Sequence, residues 1–244
     1  TGFTQREDFP WEIRAPAQIW GFVDRLPTGK ESNSAICALE MAFLDVLGKR
    51  QGRSITSFFP QDYFSSRVFY GAGVPLTDKD RTRKICHMIK YMKIAAVKLK
   101  MGRDWVRNQE SLQTARAAFG EGQDLKIDVN GVWDYELVLK HMPLIQEYGV
   151  KIVEQPMAPG DPSLAAFADL LRPLGVVLMA DESACCLGDL ENIIEDGWYG
   201  MVNVRLSKCG GFRRSLTIID RIRESHLFFQ IGAQLGESGI LSAA

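Results

Sequence analysis

Four charged positions recur along this chain at almost one interval, each at the end of a short apolar run. Lys100 ends AAVKLK, Asp128 lies in LKIDVNG, Glu154 in VKIVEQP and Asp181 in VVLMADES, at steps of 28, 26 and 27 residues. A step of that length holds one strand, one helix and their loops. The period therefore constrains the chain to parallel strands joined by helices. Charged residues at successive strand ends are how a (β/α)8 barrel displays a site.

Apolar periodicity fills in the intervals. Strands are predicted near 68–70, 96–100, 125–130, 150–155, 176–181, 201–207 and 228–234. Amphipathic helices are predicted near 78–93, 104–119, 134–148, 162–173, 188–196 and 212–225. The fold class expected is α/β, a (β/α)8 barrel with seven strands visible and the eighth missing. Upstream, residues 1–33 read as irregular and SAICALEMAFLDVLGK (34–49) as a helix. Its Ile36, Leu39, Met41, Phe43 and Leu47 are too many for a solvated helix, so it must pack on something. A chain that opens at Thr1 and ends in GESGILSAA is expected to be a piece of a longer protein.

Composition excludes several classes. The net charge is −1 and the basic residues are scattered, which argues against nucleic acid or an anionic membrane as partner. No apolar run approaches the roughly 18 residues of a membrane span, and no signal peptide is visible. Five cysteines, an odd number without a CxxC pair, point to reduced thiols in a cytoplasmic protein. His87, His141 and His226 fall on helices or helix ends and read as surface residues. Cys185 and Cys186 read as packing residues, Gly210–Gly211 as a tight turn, and Arg213, Arg214, Arg221 and Arg223 as a solvated helix face.

Alternation along the strands selects the inward side chains. It leaves Lys98 and Lys100 inside on the second strand, Asp128 and Asn130 on the third, and Asn203, Arg205 and Ser207 on the sixth. Asp128, Glu154 and Asp181 make a hard-oxygen set suited to Mg2+ or Mn2+. Such a cation acidifies the α-proton of a chelating carboxylate substrate and stabilises the enolate. Two lysines on one face would depress each other, so Lys100 could take the proton while Lys98 stays charged.

Taken together, KLK, the DVN strand, VEQP, ADES and NVRLSKCGG resemble the enolase superfamily, in its muconate-lactonising-enzyme-like branch. The resemblance covers about residues 34–244. It implies residues 1–62 as the end of an α+β capping domain and 63–244 as the barrel. It also implies Asp128, Glu154 and Asp181 as Mg2+ ligands, Lys100 as base and Lys98 as its electrostatic partner. Asn130 and Glu182 would support them, and Glu237 would orient ligand or the sixth-strand cation. The mandelate-racemase-like branch carries a histidine base on the seventh strand, and FFQIGAQLGE has none. One departure matters. Where the branch has a second lysine on the sixth strand, parity and NVRLSKCGG put Arg205, with Lys208 three residues on. Arginine is a poor acid or base.

The expectation is a Mg2+-dependent enzyme that removes a proton α to the carboxylate of a small molecule. Isomerisation (racemase, epimerase or cycloisomerase) ranks above a lyase that dehydrates an acid sugar or forms an o-succinylbenzoate-type product. A silent carboxylate-binding barrel is the rival from another class. A homo-oligomer is compatible with the sequence.

Overall fold

The computed structural model describes residues 2–65, 67–234 and Glu237. In chain order its elements are α1 (Pro16–Val23), α2 (Lys30–Gln51), β1 (Gly71–Val74), α3 (Lys79–Tyr91), β2 (Ala96–Lys100), α4 (Trp105–Phe119), β3 (Leu125–Asp128) and α5 (Tyr135–Glu147). They continue as β4 (Val150–Glu154), α6 (Leu164–Leu171), β5 (Val177–Ala180), α7 (Leu187–Asp196), β6 (Met201–Val204), α8 (Leu206–Cys209), α9 (Phe212–Glu224) and β7 (Phe228–Ile231). The seven strands are hydrogen-bonded in sequence order, and β1 to β6 pair in parallel. That succession is the wiring of a (β/α)8 barrel. Apart from Glu237, the GESGILSAA run lies outside the described residues, and with it the expectation of a missing eighth strand.

Two compact units divide the chain. One comprises Arg67–Ser183 and Ile193–Val202, and so holds β1–β5 with α3–α6. Its helices begin where the sequence supplies caps. Asp78, Asp104 and Asp134 each accept a backbone N–H from the first turn of α3, α4 and α5. Such a cap is worth about 1 kcal/mol. Val97 and Leu99 on β2, Leu125 and Ile127 on β3, and Val153 on β4 are buried, which leaves the alternate residues to the opposite face.

The other unit comprises Thr1–Ser66, Ala184–Asn192 and Asn203–Ala244. Here α2 finds the packing its apolar residues require. Ile36, Leu44 and Leu47 are buried with Ile19, Phe22 and Val23 of α1, and Leu39 and Phe43 pack against the cluster. Each large side chain so buried contributes about 1.5–3 kcal/mol.

Several expectations need correction. Val68, Phe69 and Tyr70 are 66%, 80% and 75% exposed, and the first strand is Gly71–Val74 instead. Strand propensity reflects packing on a pleated surface, and pairing with β2 begins only at Gly71 opposite Ala96. The sixth strand ends at Val204 rather than near 207, because Leu206–Cys209 turn into α8. Arg205 keeps extended dihedrals, φ −127° and ψ 128°, so the alternation carries as far as Arg205 and not to Ser207. Arg214 is no solvated residue: its guanidinium donates to the carbonyls of Val23, Leu26 and Pro27. His141 is buried. His87 and His226 are exposed, as expected. All five cysteines are free thiols.

Candidate functional site

Strand register assembles the charged residues. Lys100 pairs directly with Asp128, Asp128 with Glu154, and Glu154 with Met179, two residues before Asp181. Carboxylates on three successive strand ends are thereby brought into one row, and all three are fully buried.

Burying such charge is costly unless it is paired. The Lys98 ammonium supplies one pairing, at 2.8 Å from Asp128 Oδ2 and 2.9 Å from Glu154 Oε2. Lys100 donates to Asp128 Oδ2 at 2.7 Å and to Asn130 Oδ1 at 2.6 Å. Burial pushes the Asp128 carboxyl up, but the charge of Lys98 and the hydrogen bonds from both lysines outweigh it. Its pKa lies below the usual carboxylate value. The Lys100 side chain is 39% exposed and that of Lys98 is 24% exposed, so Lys100 is the more open of the two.

The loops after the strands hold the row in place. Asn130 has φ 50°, a left-handed conformation that asparagine tolerates better than most residues. That turn lets its backbone N–H donate to Asp128 Oδ1 at 3.1 Å and its side-chain amide to Glu182 Oε1 at 3.1 Å. The two bonds tie the Asn130 turn to Asp128 on one side and to Glu182 on the other.

Sequence reasoning missed two residues. Gln155, fully buried, accepts the backbone N–H groups of Asp181 and Ser183 at 3.0 Å each, and its own amide donates to Ser183 Oγ. It straps the Asp181 loop to β4. Its signal was its place in VEQP beside Glu154. Lys126 is the other. Burial lowers its pKa first, with Lys98 adding to that effect against the pull of Glu154 and Asp128. The period of two that selected Asp128 selects Lys126 as well.

The other sequence-derived candidates belong to the second unit and are placed only within it. Asn203 is buried, and its carbonyl accepts the Lys208 ammonium at 2.6 Å. Arg205 stands at the start of α8. Glu237 accepts the Gln234 N–H at 2.8 Å. The Gly210–Gly211 turn has φ 90° and 99°. The start of α9 that follows it is already capped, since Phe212 and Arg213 donate their N–H groups to the Glu40 carboxylate.

The donor set fits a hard divalent cation in its chemistry, being three buried carboxylates on adjacent strand ends. In its present geometry the Lys98 ammonium bridges two of them. Among the described residues no group of three or more His, Cys, Asp or Glu side chains is close enough to hold a metal ion. Nor is any helix among them long and apolar enough to cross a membrane.

Comparison with known proteins gives the same outline. The family described as Enolase C-terminal domain-like matches residues 81–244. A "Hydrophobic dipeptide epimerase" of Roseobacter litoralis is 28% identical over 215 residues, 86% of this chain and 60% of that protein. A mandelate racemase/muconate lactonizing family protein from Azoarcus sp. EbN1 superposes with a TM-score of 0.85 at 25% identity, covering 97% of this chain and 63% of that one. A dipeptide epimerase from Cytophaga hutchinsonii, complexed with Mg and D-Ala-L-Val, superposes with a TM-score of 0.75 at 23% identity, covering 92% and 60%. The chain thus spans about three fifths of the length of these relatives.

Proposed function

The chain belongs to the Enolase C-terminal domain-like family, in the muconate-lactonising-enzyme-like branch of the enolase superfamily, and from that premise we propose that it isomerises a small-molecule carboxylate by removing its α-proton with Lys100. The observation that carries this reading is the held yet open Lys100, fixed by Asp128 and Asn130 at the end of β2. In its neutral form the Lys100 amine takes the proton from the α-carbon. Lys98, between two carboxylates, is the charged partner that offsets the negative charge left on the substrate.

Asp128, Glu154 and Asp181 are the residues that would hold Mg2+, or Mn2+. When bound, the ion supplies positive charge that acidifies the α-proton and steadies the deprotonated substrate. A magnesium ion in the structure of the Cytophaga relative supports the choice of metal. Dipeptides are the first substrates to try, because the Roseobacter relative is named for epimerising them and the Cytophaga relative binds one. Asn130 and Glu182 orient Lys100, while Asn203 and Glu237 are proposed to contact the substrate or its cationic neighbour. Residues 1–62 are proposed as the end of a capping domain.

For the opposite face of the substrate, Arg205 is preferred to Lys208. Its extended backbone continues the alternation with Asn203, whereas the Lys208 ammonium is held on the Asn203 carbonyl. Arginine clamps an anion well and exchanges protons poorly. It therefore favours chemistry with one base, and keeps β-elimination of water as a second reading.

The test is proton NMR of substrates in D2O with the intact protein and Mg2+, using dipeptides, N-acyl amino acids and acid sugars. Deuterium at the α-carbon supports the reading, and inversion or water loss separates isomerase from lyase. Tight binding of a carboxylate without any exchange would make the chain a silent binder and sink it.

A further inference from the structure

The structure carries a second buried polar group, which the chemistry above does not use. Asn108 on α4 and His141 on α5 are 0% and 1% exposed, and Trp133, in the loop after β3, is stacked on the imidazole with ring centroids 4.4 Å apart. Asn108 grips one residue through both its backbone polar groups: its Oδ1 accepts the Gly102 N–H at 3.0 Å and its Nδ2 donates to the Gly102 carbonyl at 2.8 Å. Trp133 Nε1 donates to the same carbonyl at 2.8 Å. Gly102 lies two residues beyond Lys100, and Trp133 three beyond Asn130, the other partner of the Lys100 ammonium.

We propose that Asn108 and His141 form a clamp that positions Lys100, fixing the end of β2 to the loop that carries Asn130. This rests on the reading of Lys100 as the base. The orientation of the Asn108 amide is set by the Gly102 N–H, so its Nδ2 must face His141 Nε2, 2.9 Å away. Nε2 is then the acceptor, and the imidazole proton sits on Nδ1, which donates to the Leu137 carbonyl at 2.6 Å. Only neutral His141 satisfies both contacts. Burial holds its pKa below the usual imidazole value, with Lys140 pushing the same way against the Leu137 bond. Further charges on the packed elements are Asp104 at the start of α4 and the Arg103–Asp134 pair. A proton on Nε2 would turn a donor toward the Asn108 donor and release Gly102.

The clamp is tested with Asn108→Ala and His141→Phe in the intact protein. The second variant keeps a ring against Trp133 and removes the Nε2 acceptor, together with the Nδ1–H bond to Leu137 inside the same helix. Expected in the wild type are Gly102 and Lys100 amide resonances that shift with the midpoint at which the His141 ring carbons titrate. In H141F those shifts vanish, and with a substrate that exchanges, kcat falls about tenfold at a KM within about twofold. The acid limb of kcat that tracks His141 disappears with them. Amide resonances indifferent to His141, or an unchanged kcat and acid limb in folded H141F, would overturn the clamp. If the wild type exchanges no substrate proton, the base assignment fails and takes the catalytic purpose of the clamp with it. The amide shifts still decide separately whether Asn108 and His141 hold Gly102.

Discussion

Lys98 holds Glu154 by both carboxylate oxygens, at 3.1 Å to Oε1 and 2.9 Å to Oε2, across 56 residues of sequence. The same ammonium bridges to Asp128, so removing it takes a cationic partner from two buried carboxylates, of which Asp128 keeps Lys100. Lys98→Met is therefore expected to destabilise the fold by about 2–4 kcal/mol, somewhat less than a fully buried pair broken on one side. Urea unfolding measures it. Saturating Mg2+ should recover most of the loss if those carboxylates take up the ion. Unchanged stability without Mg2+ would mean that water already satisfies them.

Lys100 has a different part, since it is half-open and its partners Asp128 and Asn130 keep other contacts. Lys100→Met should cost the fold little and α-proton exchange about 10²–10⁴-fold, the usual contribution of a general base. The measurement is deuterium uptake by NMR at fixed Mg2+. Exchange within threefold of wild type would assign the base elsewhere, with Lys126 next in line on the same strand face as Asp128.

The reach of the sequence follows from the range of the interactions. On β2 the alternation of Val97 and Leu99 with Lys98 and Lys100 is local, and the structure reproduces it. The same rule failed at the end of β6, where Leu206 opens α8 instead of continuing the strand. His141 was misread because its helix gives no sign that Asn108 and Trp133 come to meet it. Gln155 hid for a like reason: its work is done on Asp181 and Ser183, in the next repeat. Charge at strand ends was legible, whereas the polar side chains that brace it depend on contacts between repeats.

Gly211 makes the cost of one such contact measurable. Its φ of 99° suits glycine alone, and a Cβ there would collide with Glu40 Oε2. Gly211→Ala should destabilise by about 2–4 kcal/mol, combining backbone strain with the displaced carboxylate. Thermal unfolding tests it, with Gly122→Ala as a control at a site where nothing lies within 4 Å. Equal melting temperatures for the two variants would contradict the close approach.

Glu40 itself sets a dependence on pH. Burial pushes its carboxyl from 4.5 up to about 7, against the N–H groups of Arg213 and Phe212 and the charges of Arg214 and Arg213. The folded protein then binds a proton that the unfolded chain has lost, so this group stabilises the fold fully below pH 4.5. The contribution fades as pH rises through about 7. Its full size is about 3 kcal/mol, at 1.36 kcal/mol per unit. Neutral His141 acts in the opposite sense, because its lowered pKa favours the fold as pH rises. The difference between wild type and Glu40→Gln isolates the carboxyl, since a glutamine can still accept one N–H and does not titrate. Urea unfolding at pH 5, 6, 7 and 8 should show wild type losing stability relative to E40Q across that range. Parallel curves would mean that Glu40 is ionised throughout, held as a carboxylate by the start of α9.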